Sequence, residues 1–220
     1  PDKALSTEYS ENIAIEAAKF LQNIDIQIKP KKRAGSSNDD ARWRFPIYQL
    51  PYSLAKDGLM HEYGRVLCYW GDAGWGEMSK EGKEKYKAFD TRLVSASAKL
   101  IKEKWKPESF PSWLTFVPSN RSELVANFAD ELANALGIKF FDVVKKIKHN
   151  KPQKKMENAN YRCKNLDGVF EISANIPKGS VLLVDDIYDS GWTFAVISAL
   201  LRRSGSDKVF PFAVASTSNN

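Results

Sequence analysis

Val181-Leu182-Leu183-Val184-Asp185-Asp186-Ile187-Tyr188-Asp189-Ser190-Gly191-Trp192-Thr193 holds, in order, an apolar run, two adjacent carboxylates and a glycine turn. The four apolar residues, with Pro177 and Gly179 upstream, predict a strand covered on both faces, as in a parallel sheet. From Thr193 to Leu201 the pattern is helical, and Arg202, Arg203 and Gly205 suit a helix C-terminus. Strand, acidic pair, glycine turn and helix is the expected order.

That order has chemical consequences. In an open α/β sheet, ligands bind beyond the carboxyl ends of the strands. The turn from Asp189 to Thr193 presents backbone N–H groups at a helix N-terminus, where a phosphate is stabilised. Ser190 and Thr193 add hydroxyl donors. Asp185 and Asp186 are anionic and do not bind that phosphate, but they suit sugar hydroxyls or a hard cation. A sugar phosphate fits the combination.

Three protein classes place paired acids after a strand. A receiver domain has them after its first strand, with most of the domain still to come, whereas this chain ends soon after Ala215. A Walker B strand needs a G-x-x-x-x-G-K-[ST] loop, and the sequence has none. The third class fits. The stretch resembles the phosphoribosyl-pyrophosphate (PRPP) signature of type I phosphoribosyltransferases: four apolar residues, two acids, a short spacer and a Gly-x-Thr turn. Trp192 departs from it, since the family usually has a small or basic residue there. The resemblance implies that Asp185 and Asp186 hold the ribose hydroxyls, with Mg²⁺ bridging them to pyrophosphate. It further implies that Asp189 acts as general base, and that Asp189, Ser190, Gly191, Trp192 and Thr193 cradle the 5′-phosphate.

The preceding residues continue the α/β alternation. Trp113 to Val117 reads as a strand, the helix from Ser122 stops at Gly137, and Ile138 to Val144 reads as the next strand. Together with the strand, turn and helix that follow, this is the succession that a doubly wound parallel sheet requires. The resemblance assigns pyrophosphate binding to the loop carrying Ser119, Asn120 and Arg121. On the residues alone, the same loop is a helix cap with a solvent-facing arginine. Lys145 to Asn165 is basic, with little apolar periodicity, and loops this long are lids or disordered. The family places a mobile catalytic loop there, and Lys151, Lys154, Lys155, Tyr161 and Arg162 are equal candidates for reaching the pyrophosphate. His149 has no partner at metal-ligand spacing and reads as a loop residue. Asn165-Leu166-Asp167-Gly168-Val169-Phe170 resembles the Asn-x-x-Gly-Ala-Phe segment of the competence-related ComF branch.

Nearer the N-terminus, Tyr9 to Asn23 has helical spacing, and Ile24, Ile26 and Ile28 alternate as a half-buried strand. Lys31 to Asp40 is polar and reads as a linker. Gly71, Gly74 and Gly76 lack dinucleotide-fingerprint spacing and predict a tight turn that buries Trp70 and Trp75. Lys80 to Lys87 reads as charged and exposed, and Thr91 to Trp105 as an amphipathic helix. Pro107 marks a break. The expected organisation is an N-terminal mixed α+β appendage (residues 1–40, then an accessory hood or bridge over 41–108), followed by a phosphoribosyltransferase-like core over 109–220.

A wider resemblance joins several of these tracts: Ile24 to Lys32, Gly64 to Leu67, Trp70 to Gly76, Pro118 to Arg121, Asn165 to Phe170 and the Asp-Ser-Gly-Trp-Thr turn. Together they are similar to the C-terminal region of bacterial RecQ-family DNA helicases. That implies a motor upstream, DNA as a partner of the parent chain, and a fragment beginning at Pro1. The 220 residues carry a net charge of +6, which permits a polyanionic partner such as PRPP, a nucleoside monophosphate or nucleic acid. Cys68 and Cys163 lie far apart and read as reduced thiols of a cytoplasmic protein. No apolar run is long enough to span a membrane. The alternative to an enzyme is a catalytically silent nucleotide-sensing or DNA-contacting module.

Overall fold

The computed structural model describes residues 11–21, 24–119, 123–152 and 156–217. In chain order the elements are α1 (Glu11–Leu21), β1 (Ile26–Ile28), α2 (Asn38–Arg44), β2 (Gly64–Tyr69), α3 (Trp75–Glu81), a π-helical turn (Gly82–Tyr86) and α4 (Thr91–Lys99). A second π-helical segment (Leu100–Trp105) continues α4. There follow β3 (Trp113–Phe116), α5 (Leu124–Leu136), β4 (Lys139–Phe140), β5 (Val144–Lys146), α6 (Ala159–Lys164), β6 (Phe170–Ile172), β7 (Val181–Tyr188), α7 (Trp192–Arg203) and β8 (Val209–Ser216).

The main sheet runs β1-β2-β8-β7-β3-β4. Its pairs are parallel, except for β1, which lies antiparallel to β2 at one edge. The layers follow from side-chain alternation along each strand. Val181 and Leu183 of β7, with Val209 and Ala213 of β8, share one buried cluster with α7 and residues 34–59. Leu182 and Val184, with Phe210, Phe212 and Val214, face α4 and α5 on the other side. A strand covered on both faces is what the apolar run predicts, and the α/β sheet is mostly parallel as expected.

Several local expectations change. The strand expected over 138–144 divides in two. Its first part joins the sheet edge as β4, and Phe141 packs edge-on against Trp113 at 6.1 Å between ring centroids. Its second part leaves the main sheet as β5 and pairs antiparallel with β6. The polar stretch 31–40 is not an open linker. Ser37 Oγ accepts from the Asp40 N–H at 3.2 Å, and Asp40 accepts from the N–H and hydroxyl of Ser36 at 2.7 and 2.8 Å. This reciprocal capping starts α2 and places Ala34 and Ala41 in the core. The turn after β2 forms, but Trp70 and Trp75 are only half-buried. Gly76 is required there, because a Cβ would lie 2.1 Å from the Tyr69 carbonyl oxygen.

The Asn165–Phe170 segment ties the 41–59 region to this framework. Asp167 accepts from the backbone N–H groups of Ile47 (2.8 Å) and Tyr48 (2.9 Å). The Tyr48 hydroxyl donates to the Phe170 carbonyl at 2.6 Å and accepts from the Phe170 N–H. Burial pushes that phenol up to about 12. His61 is a core residue. It is 1 % exposed, its Nδ1 lies 2.6 Å from the Glu62 carbonyl, and desolvation pushes it down to about 4. Both thiols are buried and pushed up to about 12, chiefly by desolvation. Among the described residues no helix is long and apolar enough to cross a membrane.

Candidate functional site

Topology creates the crevice. From β3 the chain passes through α5 to β4, and from β7 it passes through α7 to β8 in the opposite direction. The two helices lie on opposite faces of the sheet. The carboxyl ends of β7 and β3 therefore form a switch point, where α/β sheets open to ligands. β3 pairs only as far as Phe116 with Val184, whereas β7 continues beside β8 to Tyr188. The strand thus carries its two acids beyond the end of β3, and a cavity of about 650 Å³ lies there.

Asp185, Asp186, Asp189, Ser190, Gly191 and Thr193 all line this cavity, as does Ser119 from the loop after β3. Asn120 and Arg121 lie outside the described residues. Gly191 precedes the first turn of α7 with φ +76°, and a Cβ there would lie 3.1 Å from the Tyr188 ring. Having no side chain, Gly191 leaves the first N–H groups of a three-turn helix open to an anion. Trp192 stands apart. Its indole is 7 % exposed, lies outside the cavity lining, and packs against Phe45 at 6.2 Å with Lys31 Nζ 4.9 Å from its ring. Only its backbone belongs to the turn.

Each acid has a distinct electrostatic partner. Asp185 accepts the Asp186 N–H at 2.8 Å, yet its carboxyl is pushed well above the usual range, first by burial and then by the Asp186 charge. Asp186 pairs with Lys83 Nζ at 2.7 Å. Asp189 pairs with Arg162 at 3.0 Å, and Arg162 Nε also donates to the Met156 carbonyl at 3.3 Å.

Sequence reasoning missed Lys83 and Lys87, which sit in a stretch expected to be merely exposed but line the cavity. Their spacing of four places both on one face of the turn, the only signal available. Lys146, His149 and Lys151 line the same cavity, so basic side chains share its wall with the acids. The 145–165 span is not structureless: it holds the end of β5 and the whole of α6. The Asn165 side chain holds the Lys151 backbone by paired bonds of 3.0 and 2.7 Å. Of the five basic and aromatic candidates there, Arg162 is on Asp189, Lys151 is at the cavity, and Tyr161 is exposed. Lys154 and Lys155 lie outside the described residues.

The acids do not by themselves fit a resident magnesium ion. Asp186 is neutralised by Lys83, and Asp185 sits where burial favours its proton. Among the described residues no group of three or more His, Cys, Asp or Glu side chains converges as a metal site.

Comparison with known proteins adds an independent line. The family model described as "Phosphoribosyl transferase domain" matches residues 126–215, which include most of α5, the acid pair and the glycine turn but not Lys83 or Ser119. No curated protein matches the chain. Among solved structures, adenine phosphoribosyltransferase from Saccharomyces cerevisiae is similar at 23% identity, covering 58% of this chain and 70% of that one, with a TM-score of 0.39. Orotate phosphoribosyltransferase from Aeropyrum pernix is similar at 21% identity over 58% and 61%, with a TM-score of 0.36. Purine phosphoribosyltransferase from Pyrococcus horikoshii is similar at 18% identity over 59% and 86%, with a TM-score of 0.37. The match over residues 126–215 is thus a similarity to a phosphoribosyl transferase domain, and it falls within a mostly parallel α/β sheet.

Proposed function

We propose that the cavity binds PRPP and that the chain is a phosphoribosyltransferase-type domain. The observation that carries this reading is the convergence of two strand-end acids, an uncapped glycine turn and several lysines on one cavity. Asp185 and Asp186 accept from the ribose hydroxyls, and the turn from Asp189 to Thr193 holds the 5′-phosphate. Ser119 and the basic wall face the pyrophosphate. In transfer, an acceptor atom bonds to ribose C1 as the C1–O bond to pyrophosphate breaks, and pyrophosphate leaves with the electron pair. The protein contributes position and charge stabilisation around an oxocarbenium-like transition state. Asp189 takes the acceptor's proton once Arg162 has moved from it.

The Arg162–Asp189 pair favours a second reading. With its base engaged, the domain serves as a non-catalytic PRPP or nucleotide sensor. The likeness to the C-terminal region of RecQ-family helicases belongs to this second reading. It would make the chain a DNA-associated module in the cytoplasm.

Calorimetric titration with PRPP, ribose 5-phosphate and pyrophosphate tests the proposal. PRPP should bind at least about tenfold more tightly than either half, because one site engages both ends. Equal affinity for pyrophosphate alone would reduce the cavity to a general polyanion site. Strongly salt-dependent binding of single-stranded DNA in place of PRPP would favour the helicase-associated module.

A further inference from the structure

The ion pair between Lys83 and Asp186 joins two residues that line the cavity. Lys83 lies on the π-helical turn Gly82–Tyr86, outside the residues that match the family, and its Nζ reaches Asp186 at 2.7 Å. The turn holds it there. Lys87 closes the turn in the left-handed region, at φ 56°, and its ammonium donates to the Lys83 and Glu84 carbonyls at 3.1 and 2.9 Å. The Trp70 ring stands 5.9 Å from Lys83 Nζ, a second surface that favours an ammonium group. The Lys83 side chain is 35 % exposed and that of Asp186 is 16 % exposed, so the pair is partly shielded from water but open to a ligand.

A cation in this place does two things. It removes the repulsion between Asp186 and an incoming phosphate or pyrophosphate. It also offers donors to the ligand, since an ammonium has three N–H groups and Asp186 takes one. A bridging divalent ion would serve both ends in the same way. Resting on the PRPP reading above, we propose that the Lys83 ammonium takes the place of a divalent cation at Asp186, so that the site binds PRPP without magnesium. The second donor set of the lysine, directed at pyrophosphate oxygens, is then part of the binding machinery.

The test is titration of the chain with PRPP in EDTA and in excess magnesium, for the wild type, Lys83→Met, Lys83→Gln and Lys83→Arg. The wild type should bind within about twofold in the two media. Lys83→Met and Lys83→Gln should lose about tenfold or more in EDTA, the weight of one charge-assisted contact. Magnesium should restore both, because Asp186 is then free to take the ion. Lys83→Arg should retain metal-independent binding. Thermal unfolding checks the fold, and it should barely move because a partly exposed ion pair contributes little to stability. Wild-type binding that requires magnesium, with the Lys83 variants indifferent, would overturn this inference and leave the PRPP reading intact. Metal-independent binding that survives Lys83→Met and Lys83→Gln would overturn the role of Lys83. Absence of binding in both media would overturn both readings.

Discussion

Asp185→Asn is expected to be more stable than the wild type at neutral pH and to lose at least about tenfold in PRPP affinity. The stability gain follows from the raised carboxyl of Asp185, whose charged form is disfavoured by burial and by Asp186. Asparagine keeps the oxygen that accepts the Asp186 N–H and carries no charge. The sign is fixed by linkage. A carboxyl raised in the folded state contributes stability below its unfolded value near 3.8, and that stability is lost as pH rises through the folded value. The variant should therefore exceed the wild type at pH 7, and the two should converge below the ordinary carboxylate range. Denaturant unfolding at several pH values reads this directly. A variant less stable than the wild type at pH 7 would contradict the electrostatic account of the acid pair. The affinity loss has a separate cause: one Asp185 oxygen holds the Asp186 N–H and the other is left for a ribose hydroxyl, and in the asparagine an amide N–H₂ group stands in that second place.

The second large effect concerns stability alone. Trp192→Ala is expected to cost about 4 kcal/mol, within the range for buried aromatic residues truncated to alanine. The indole is buried between α7 and the 41–59 region, on Phe45 and under Lys31. Its loss opens a void at the seam joining these parts, while the backbone of the glycine turn keeps its place. Urea unfolding should show a lower midpoint with an unchanged slope. Trp192→Phe should recover most of the loss, since it refills most of the volume. An alanine variant of wild-type stability would mean that the seam is not closed as described.

Trp192 also shows what the sequence conceals. It interrupts a phosphate-binding pattern with a bulky residue, and nothing local indicates which way the indole turns. Its partner Phe45 lies in a stretch without periodicity, so only the folded chain brings the two together. The strand, acid pair, turn and helix were legible because each announces itself locally: an unbroken apolar run, adjacent charges, one glycine and a helical spacing. β2 was not read, because Gly64, Arg65 and Cys68 blur the apolar pattern of a strand placed in the middle of the sheet. Residues 31–40 looked like a linker because they are polar, yet those polar groups bond to one another and form a helix cap. Lys83 was unreadable for a different reason. Its carboxylate partner lies over one hundred residues further along the chain, and charge attraction at that separation leaves no periodic trace.

The basic span after β5 follows the same logic. Its composition marks it as functional or disordered, but not that Arg162 reaches Asp189 or that Asn165 fastens Lys151. These contacts depend on α6, a helix of under two turns capped by Asn158, whose side chain accepts from the Tyr161 N–H at 3.1 Å.

The most direct test of the ligand assignment is calorimetric titration of PRPP into the wild type and the Asp185→Asn/Asp186→Asn double variant. Binding should fall by about 100-fold or more, as expected for losing both acceptors of the ribose hydroxyls in a partly buried site. The double variant should remain folded by circular dichroism. A folded double variant that binds PRPP as tightly as the wild type would contradict the assignment of the acid pair to the ribose.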